Sequence, residues 1–204
     1  MMGIELVLAS NNAHKHTEFC RLFPRIRVLL PRDIGVSFEH EETGDTFFDN
    51  ARGKALALFR AAGRPVIADD SGLCVHALGG APGILSNRYG AGADGKLLEA
   101  GARNAYLLQK LEGEKDRRAF FVCCLVLVLD EERFVAVQET VHGVITEEPR
   151  GKNGFGYDPV FFLPGSGMTM AEIPDAHKDE VSHRGRAAAR ISGCLLLDSL
   201  LLDS

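Results

Sequence analysis

Two adjacent carboxylates, Asp69 and Asp70, follow the apolar residues 66–68 of this 204-residue chain. Open α/β sheets bind ligands beyond the carboxyl ends of their strands, which makes the pair a candidate catalytic site. Burying two neighbouring negative charges is costly, and a divalent metal with oxygen ligands removes that cost. The alternative is structural, a turn capped at Ser71 and Gly72.

A second candidate site follows the apolar residues 4–9, where a helix-like pattern begins. Helix N-termini bind anions through backbone N–H groups, and a lysine one turn further on adds a charge suited to a phosphate. An ordinary N-cap explains the same residues, so both interpretations stay open. The residues concerned are Ser10, Asn11, Asn12, Ala13, His14 and Lys15.

Charged side chains also surround the next helix pattern. Glu41 and Glu42 precede it, and Asn50 and Lys54 lie four residues apart, so they project from one helix face. Glu41 suits a metal and Lys54 a polyanion. A solvated helix face is the alternative for this segment.

Two later segments could contact a base and phosphates. Glycines 154 and 156 allow the backbone to approach a planar ligand, on which Phe155 or Tyr157 could stack. A tight turn with inward aromatics is the alternative. The polar candidates that complete this group are Asp158, Lys178, His183 and Arg184. Carboxylates for a metal, cations for a polyanion and aromatics for a base together describe a metal-dependent nucleotide hydrolase, although no Walker-type GxxxxGK[ST] motif is present.

The elements that must position these residues predict an α/β fold with a mixed sheet. Strands are expected at 4–9, 26–38 with a turn at Pro31, 66–68, 119–129, 133–141 and 160–162, and helices at 14–23, 46–62, 96–111 and 183–202. The two strands around residues 130–132 are expected to pair as an antiparallel hairpin. The chain is interpreted as one domain over residues 1–204.

Composition excludes several classes of protein. The net charge of −5 and the absence of Trp argue against a nucleic-acid-binding protein. No segment is predicted to span a membrane or to act as a signal peptide. The five cysteines are odd in number and form no CxxC pair, which favours reduced, mostly buried thiols in a cytoplasmic protein.

The combined motifs resemble the inosine triphosphate pyrophosphatase family, in its bacterial form. The matching blocks keep the family's order over nearly the whole chain: Leu8-Ala9-Ser10-Asn11-Asn12 with Lys15, Glu41-Glu42-Thr43-Gly44, Asn50-Ala51 with Lys54-Ala55, Ala68-Asp69-Asp70-Ser71-Gly72-Leu73, Leu78-Gly79-Gly80-Ala81-Pro82-Gly83, Ser86 with Arg88-Tyr89, Gly154 to Pro159, and Lys178 with Ser182-His183-Arg184-Gly185.

This resemblance implies a bilobed α/β fold around a deep cleft and, in most members, a homodimer. It implies hydrolysis of deaminated purine nucleoside triphosphates (ITP, dITP, XTP) to monophosphate and pyrophosphate. Glu41 and Asp70 would hold Mg²⁺, with Mn²⁺ as a substitute, and Asp70 would also be the base, with Asp69 kept as a partner in either role. The substrate-binding positions are Ser10 to Lys15, Asn50, Lys54, Ser71, Phe155, Gly156, Tyr157, Asp158, Lys178, His183 and Arg184.

The chain departs from the family pattern at Asp49, His76, Asn87 and Asp179, where Glu, Asp, Ala and Asn are usual. Two alternatives to this function stay open. One is a Maf-like pyrophosphatase that acts on pyrimidine or modified nucleotides, and the other is a non-catalytic nucleotide-binding module.

Overall fold

The computed structural model describes residues 4–92 and 95–202, with the backbone alone for 195–202. The strands are β1 (Glu5–Leu8), β2 (Arg27–Leu29), β3 (Val66–Val75), β4 (Arg118–Val128), β5 (Phe134–Ile145), β6 (Phe161–Leu163) and β7 (Met168–Thr169). The helices are α1 (Ala13–Leu22), α2 (Phe47–Ala62), α3 (Ala100–Lys110), α4 (Asp175–Val181) and α5 (His183–Leu202).

The strands form one seven-stranded sheet in the order β2-β1-β3-β4-β5-β6-β7. Strand β1 pairs in parallel with β2 and β3, whereas β6 pairs antiparallel with β5 and β7. Strands β4 and β5 are neighbours, and the turn between them is closed by a hydrogen bond from Leu129 N to Arg133 O. The predicted α/β class and mixed sheet are confirmed.

The chain divides into two compact units. The first takes its described residues from Met1–Asp70, Cys123–Glu139 and His183–Ser204, and the second from Ser71–Val122 and Thr140–Ser182. In the first unit, Cys123 and Leu125 of β4 belong to one buried apolar cluster, and Cys124 and Val126 to another. Because successive strand residues face opposite ways, the sheet of this unit is covered on both faces. The second unit has its own core, built around residues such as Leu107 and Phe161.

The cap and stop signals in the sequence predicted the bounds of α2 correctly. Thr46 caps α2 by accepting a hydrogen bond from Asp49 N, and the helix ends at Gly63, whose φ of 63° suits glycine. Helix α3 is shorter than predicted and begins at Ala100. Helix α4 was not predicted at all.

Two strand predictions were wrong in length. The strand predicted over 26–38 is only Arg27–Leu29. The turn predicted at Pro31 is confirmed as a 3₁₀ turn, which ends at Gly35 with φ 73°, and no strand follows it in the described residues before α2. Strand β3, predicted to stop at residue 68, continues through both carboxylates to Val75.

None of the described helices is long and apolar enough to cross a bilayer. The predicted final helix is confirmed along its backbone to Leu202, while the expected packing of its leucines 195–202 lies outside the described side chains. All five cysteines are free thiols, and Cys74, Cys123 and Cys124 are buried.

Candidate active site

Strand β3 separates the two carboxylates that the sequence places side by side. Asp69 and Asp70 lie within the strand, so their side chains point to opposite faces of the sheet. Both are buried, with exposed fractions of 1% and 5%. The alternative interpretation, a turn capped at Ser71 and Gly72, is wrong because β3 continues to Val75. Each carboxylate has a different set of partners.

Asp69 is compensated by two cations. Its Oδ1 accepts from Lys15 Nζ at 2.9 Å and its Oδ2 from Arg184 Nε at 2.6 Å. Burial would raise the pKa of this carboxyl, but Arg184 and Lys15 outweigh burial and hold the pKa well below its usual range. Asp69 is therefore a permanent anion that fixes the two cations.

Asp70 has weaker compensation. Asn50 Nδ2 donates to Oδ2 at 3.1 Å, and Lys54 Nζ lies 3.7 Å from Oδ1. Burial is the largest influence and raises the pKa of Asp70 to about 6, with Lys54 opposing the rise and Glu42 adding to it. The same strand thus carries one strong anion and one carboxylate that titrates close to neutral pH.

Glu18, a buried acid that the sequence did not single out, is a further partner of Arg184. Glu18 of α1 is 6% exposed and its Oε2 accepts from Arg184 Nη1 at 2.6 Å. Lys15 and Glu18 are three residues apart and so share a helix face. The three-residue spacing of Lys15 and Glu18, beside the apolar Phe19, is the sequence pattern that could have identified Glu18 as a site residue.

Helix α2 supplies the partners of Asp70. Asn50 and Lys54 are 2% and 7% exposed, so the alternative of a solvated face is wrong. Lys54 Nζ donates to Asp69 O at 2.8 Å and pairs with Glu42, while Asn50 Oδ1 accepts from Gly44 N at 2.8 Å. Glu41, the predicted metal ligand, is exposed.

The turn between β1 and α1 is an N-cap. Asn12 Oδ1 accepts from His14 N at 2.9 Å and from Lys15 N at 3.2 Å, and Ser10 Oγ accepts from Asn12 N at 3.1 Å. Three of the N–H groups expected to meet an anion are thus satisfied by side chains. The charge of Lys15 remains the main attraction for a phosphate here.

The glycine-rich loop 154–158 lies in the second unit, and the side chain of its own Asp158 stabilises it. Asp158 Oδ2 accepts from Phe155 N at 2.8 Å and from Lys178 Nζ at 2.7 Å. Gly154 has φ 72°, and a Cβ there would lie 2.1 Å from Asp158 Oδ2, so only glycine fits.

Of the two aromatics in this loop, only Phe155 is partly exposed. Tyr157 is 4% exposed and its hydroxyl donates to Ser86 O at 2.8 Å, as the inward-aromatic alternative expected. Lys178 Nζ lies 5.3 Å from the centre of the Phe155 ring, a cation–π distance. Phe155 is thus the aromatic face available for a base.

Two predicted substrate-binding residues, Ser71 and His183, are still to be located. Ser71 is half-buried in β3, and His183 is 4% exposed at the start of α5. Among the side chains of residues 4–92 and 95–194, no three His, Cys, Asp or Glu converge on one metal position. Mg²⁺ needs only one or two carboxylates when phosphates complete its shell, and the incompletely compensated burial of Asp70 marks where a cation would be stabilised.

Asp70 should make the metal-free protein less stable as the pH rises. Its pKa of about 6 in the folded protein exceeds its pKa of roughly 3.9 in the unfolded chain. The free energy of unfolding therefore suffers no loss from Asp70 below pH 4 and falls by about 3 kcal/mol by pH 7. The groups around it are Lys54, Glu42, Lys15 and Asn50. Asp69 acts in the opposite sense, because its stabilisation is lost only as the pH falls below its ordinary range.

Urea unfolding between pH 4 and 7, in EDTA, measures this effect. Subtracting the curve of Asp70→Asn isolates the contribution of Asp70 from those of the other groups. Two parallel curves would contradict the assignment.

Comparison with known proteins identifies the family of the chain. The model of the Ham1 family matches residues 6–193. The chain belongs to the Ham1 family. Within the family's solved structures, a Ham1 protein of Staphylococcus aureus is 40% identical with a TM-score of 0.81, covering 96% of this chain and 99% of that one. A HAM1 protein of Coxiella burnetii is 39% identical with a TM-score of 0.84, covering 95% and 98%.

Curated relatives match over similar lengths. The dITP/XTP pyrophosphatase of Treponema denticola is 51% identical over 189 residues, which are 93% of this chain and 97% of that protein. The dITP/XTP pyrophosphatase of Chromobacterium violaceum is 45% identical over 191 residues, 92% of this chain and 94% of that protein. The resemblance found in the sequence motifs is confirmed, and the Ham1 family accounts for nearly the whole chain.

Proposed function

We propose that this protein hydrolyses deaminated purine nucleoside triphosphates, ITP, dITP and XTP, to the monophosphate and pyrophosphate. The observation that carries the proposal is the array of half-buried Lys15 and buried Lys54, Asp69 and Asp70. In it, two ammonium groups flank two carboxylates whose pKa values are shifted in opposite directions. The relatives named dITP/XTP pyrophosphatases support the choice of substrate. Residues 1–204 would act as a single catalytic domain.

The lysines would bind the triphosphate. Cleavage of a phosphoanhydride depends mostly on positioning and on neutralising the charge of the phosphate oxygens. Lys15 is held by Asp69 and Lys54 by Glu42 and the Asp69 carbonyl, so both ammonium groups are oriented before substrate arrives. The N-cap residues Ser10 to His14 would fix the turn that presents Lys15.

Asp70 would be the general base. A base is most effective when its pKa lies near the working pH, and in the metal-free protein the pKa of Asp70 is about 6, so the carboxylate is ionised at pH 7 and can accept a proton. A bound cation would lower this pKa. Asp69 is poorly suited to this role because its pKa lies well below the usual range. We therefore assign Asp69 to positioning Lys15 and Arg184.

A divalent cation would complete the site, and the buried, incompletely compensated carboxylate of Asp70 fits one. We assign it to Asp70 and Glu41 and propose Mg²⁺, with Mn²⁺ as a substitute. When bound, the ion would polarise a phosphate oxygen and lower the pKa of a coordinated water. Asn50 keeps Asp70 oriented by donating to Oδ2.

Recognition of the base is assigned to the second unit. Phe155 would stack on the purine, and Lys178 and Asp158 would hold the loop 154–158 in shape. Ser71, Gly156, Tyr157, His183 and Arg184 complete the proposed substrate set. We also propose a cytoplasmic homodimer that binds neither nucleic acid nor membrane.

A nucleotide panel tests the proposal. With Mg²⁺, we expect pyrophosphate release from ITP, dITP and XTP at least tenfold faster than from ATP, GTP, dTTP and UTP. Faster turnover of dTTP or UTP would instead identify a Maf-like pyrophosphatase. Binding of ITP without any release would identify a nucleotide-binding module.

A further inference from the structure

We propose that Asn104 of helix α3 is a positioning residue for the base-binding loop 154–158, so that it controls affinity for the nucleotide base but not the chemical step. The proposal rests on the function proposed above. No motif in the sequence singled out Asn104, and it is distant in sequence from the loop.

A single hydrogen bond joins Asn104 to the loop. The side chain is 3% exposed, and Nδ2 donates to Gly156 O at 3.0 Å. Gly156 has φ 63° and Gly154 has φ 72°, so the loop contains two left-handed residues within three positions. The bond from Asn104 fixes the peptide between Gly156 and Tyr157, which lies one residue after Phe155.

The other half of the same amide argues against a purely stabilising role. Asn104 Oδ1 is buried and has no hydrogen-bond partner among the residues that the structure describes. A buried acceptor without a partner costs free energy that an apolar side chain of the same shape would not. A residue present only for stability would be expected to avoid this cost, whereas a residue needed as a donor to Gly156 has to tolerate it.

The rest of the loop is already held by other groups. Asp158 binds Phe155 N and Lys178, and Arg103, the neighbour of Asn104 on α3, lies 5.6 Å from the centre of the Tyr157 ring. The carbonyl of Gly156 is held by none of these groups, and Asn104 holds it through the hydrogen bond from Nδ2. Loss of this bond should loosen the aromatic face at Phe155, while the phosphate-binding lysines of the first unit keep their own partners.

The test compares Asn104→Leu and Asn104→Ala with the wild-type protein in steady-state hydrolysis of ITP. We expect KM to rise about tenfold, the effect of losing one oriented hydrogen bond, and kcat to stay within about twofold. The inhibition constant of IMP, which carries the base, should rise by the same factor. That of pyrophosphate, which lacks the base, should not change.

Gln109→Leu on the exposed side of the same helix is the matched control and should leave every constant unchanged. Asn104→Leu should unfold at a temperature within a few degrees of the wild type. Unchanged KM and IMP inhibition, equal weakening of IMP and pyrophosphate, a fall in kcat alone, or a Leu variant that fails to fold would each overturn the proposal. Absence of ITP hydrolysis by the wild type would instead overturn the proposed function.

Discussion

Replacing Asp70 with Asn should lower the rate of pyrophosphate release from ITP by about 10³-fold, the usual contribution of a general base. The amide keeps the shape of the carboxylate but can neither accept the proton nor bind a cation strongly. The measurement is kcat with saturating Mg²⁺ and ITP at pH 8. Glu131→Gln, at an exposed carboxylate in the turn between β4 and β5, is the control and should keep full activity.

The same substitution should make the metal-free protein more stable, which separates lost chemistry from lost folding. Ionised Asp70 is buried with incomplete compensation, so removal of its charge should stabilise the fold by about 3 kcal/mol at pH 7. A variant that is inactive and melts at a higher temperature in EDTA fits the account. Turnover within threefold of the wild type would exclude Asp70 as both base and metal ligand.

Replacing Arg184 with Met should destabilise the protein by about 3–5 kcal/mol, because it leaves two buried carboxylates without their shared cation. Arg184 is 3% exposed and bridges Glu18 and Asp69 at 2.6 Å each. Urea unfolding at pH 7 measures the loss. Arg190→Met on the same helix removes an exposed guanidinium that pairs with Glu139 and should change stability by less than about 1 kcal/mol.

A second substitution distinguishes lost packing from unpaired charge. If the cost comes from the two buried anions, Glu18→Gln in the Arg184→Met background should restore part of the lost stability. Equal destabilisation by the Arg184 and Arg190 variants would contradict the buried ion bridge.

The sequence predicted those elements whose signals are local. The cap at Thr46, the stop at Gly63 and the four-residue spacing of Asn50 and Lys54 all depend on neighbours within one helix, and the structure agrees with each. The apolar run 119–129 and the strand-like residues 133–141, separated by residues 130–132, likewise located β4 and β5 within a few positions.

The course of β3 could not be predicted in the same way. Asp69 and Asp70 disfavour a buried strand, which is why the sequence indicated a turn at this point. The strand continues because Lys15, Lys54 and Arg184 compensate the charges, and Arg184 is 115 residues away from Asp69. Long-range compensation of this kind leaves no pattern in a local window.

The different roles of the two carboxylates could not be predicted from the sequence either. Side by side in sequence, Asp69 and Asp70 are equivalent candidates for the base. Their difference arises because neighbours on a strand face opposite sides, where two cations compensate Asp69 and one more distant lysine compensates Asp70. Glu18 was missed for a related reason, since its partner lies 166 residues away.

Identification of the phosphorus products of ITP hydrolysis tests the central claim most directly. With Mg²⁺, ³¹P NMR of a single sample of ITP and enzyme should show IMP and pyrophosphate forming in equal amounts, with no IDP. Asp70→Asn should leave the ITP signals unchanged over the same period. Formation of IDP and inorganic phosphate, or equal product formation by the two proteins, would contradict the account.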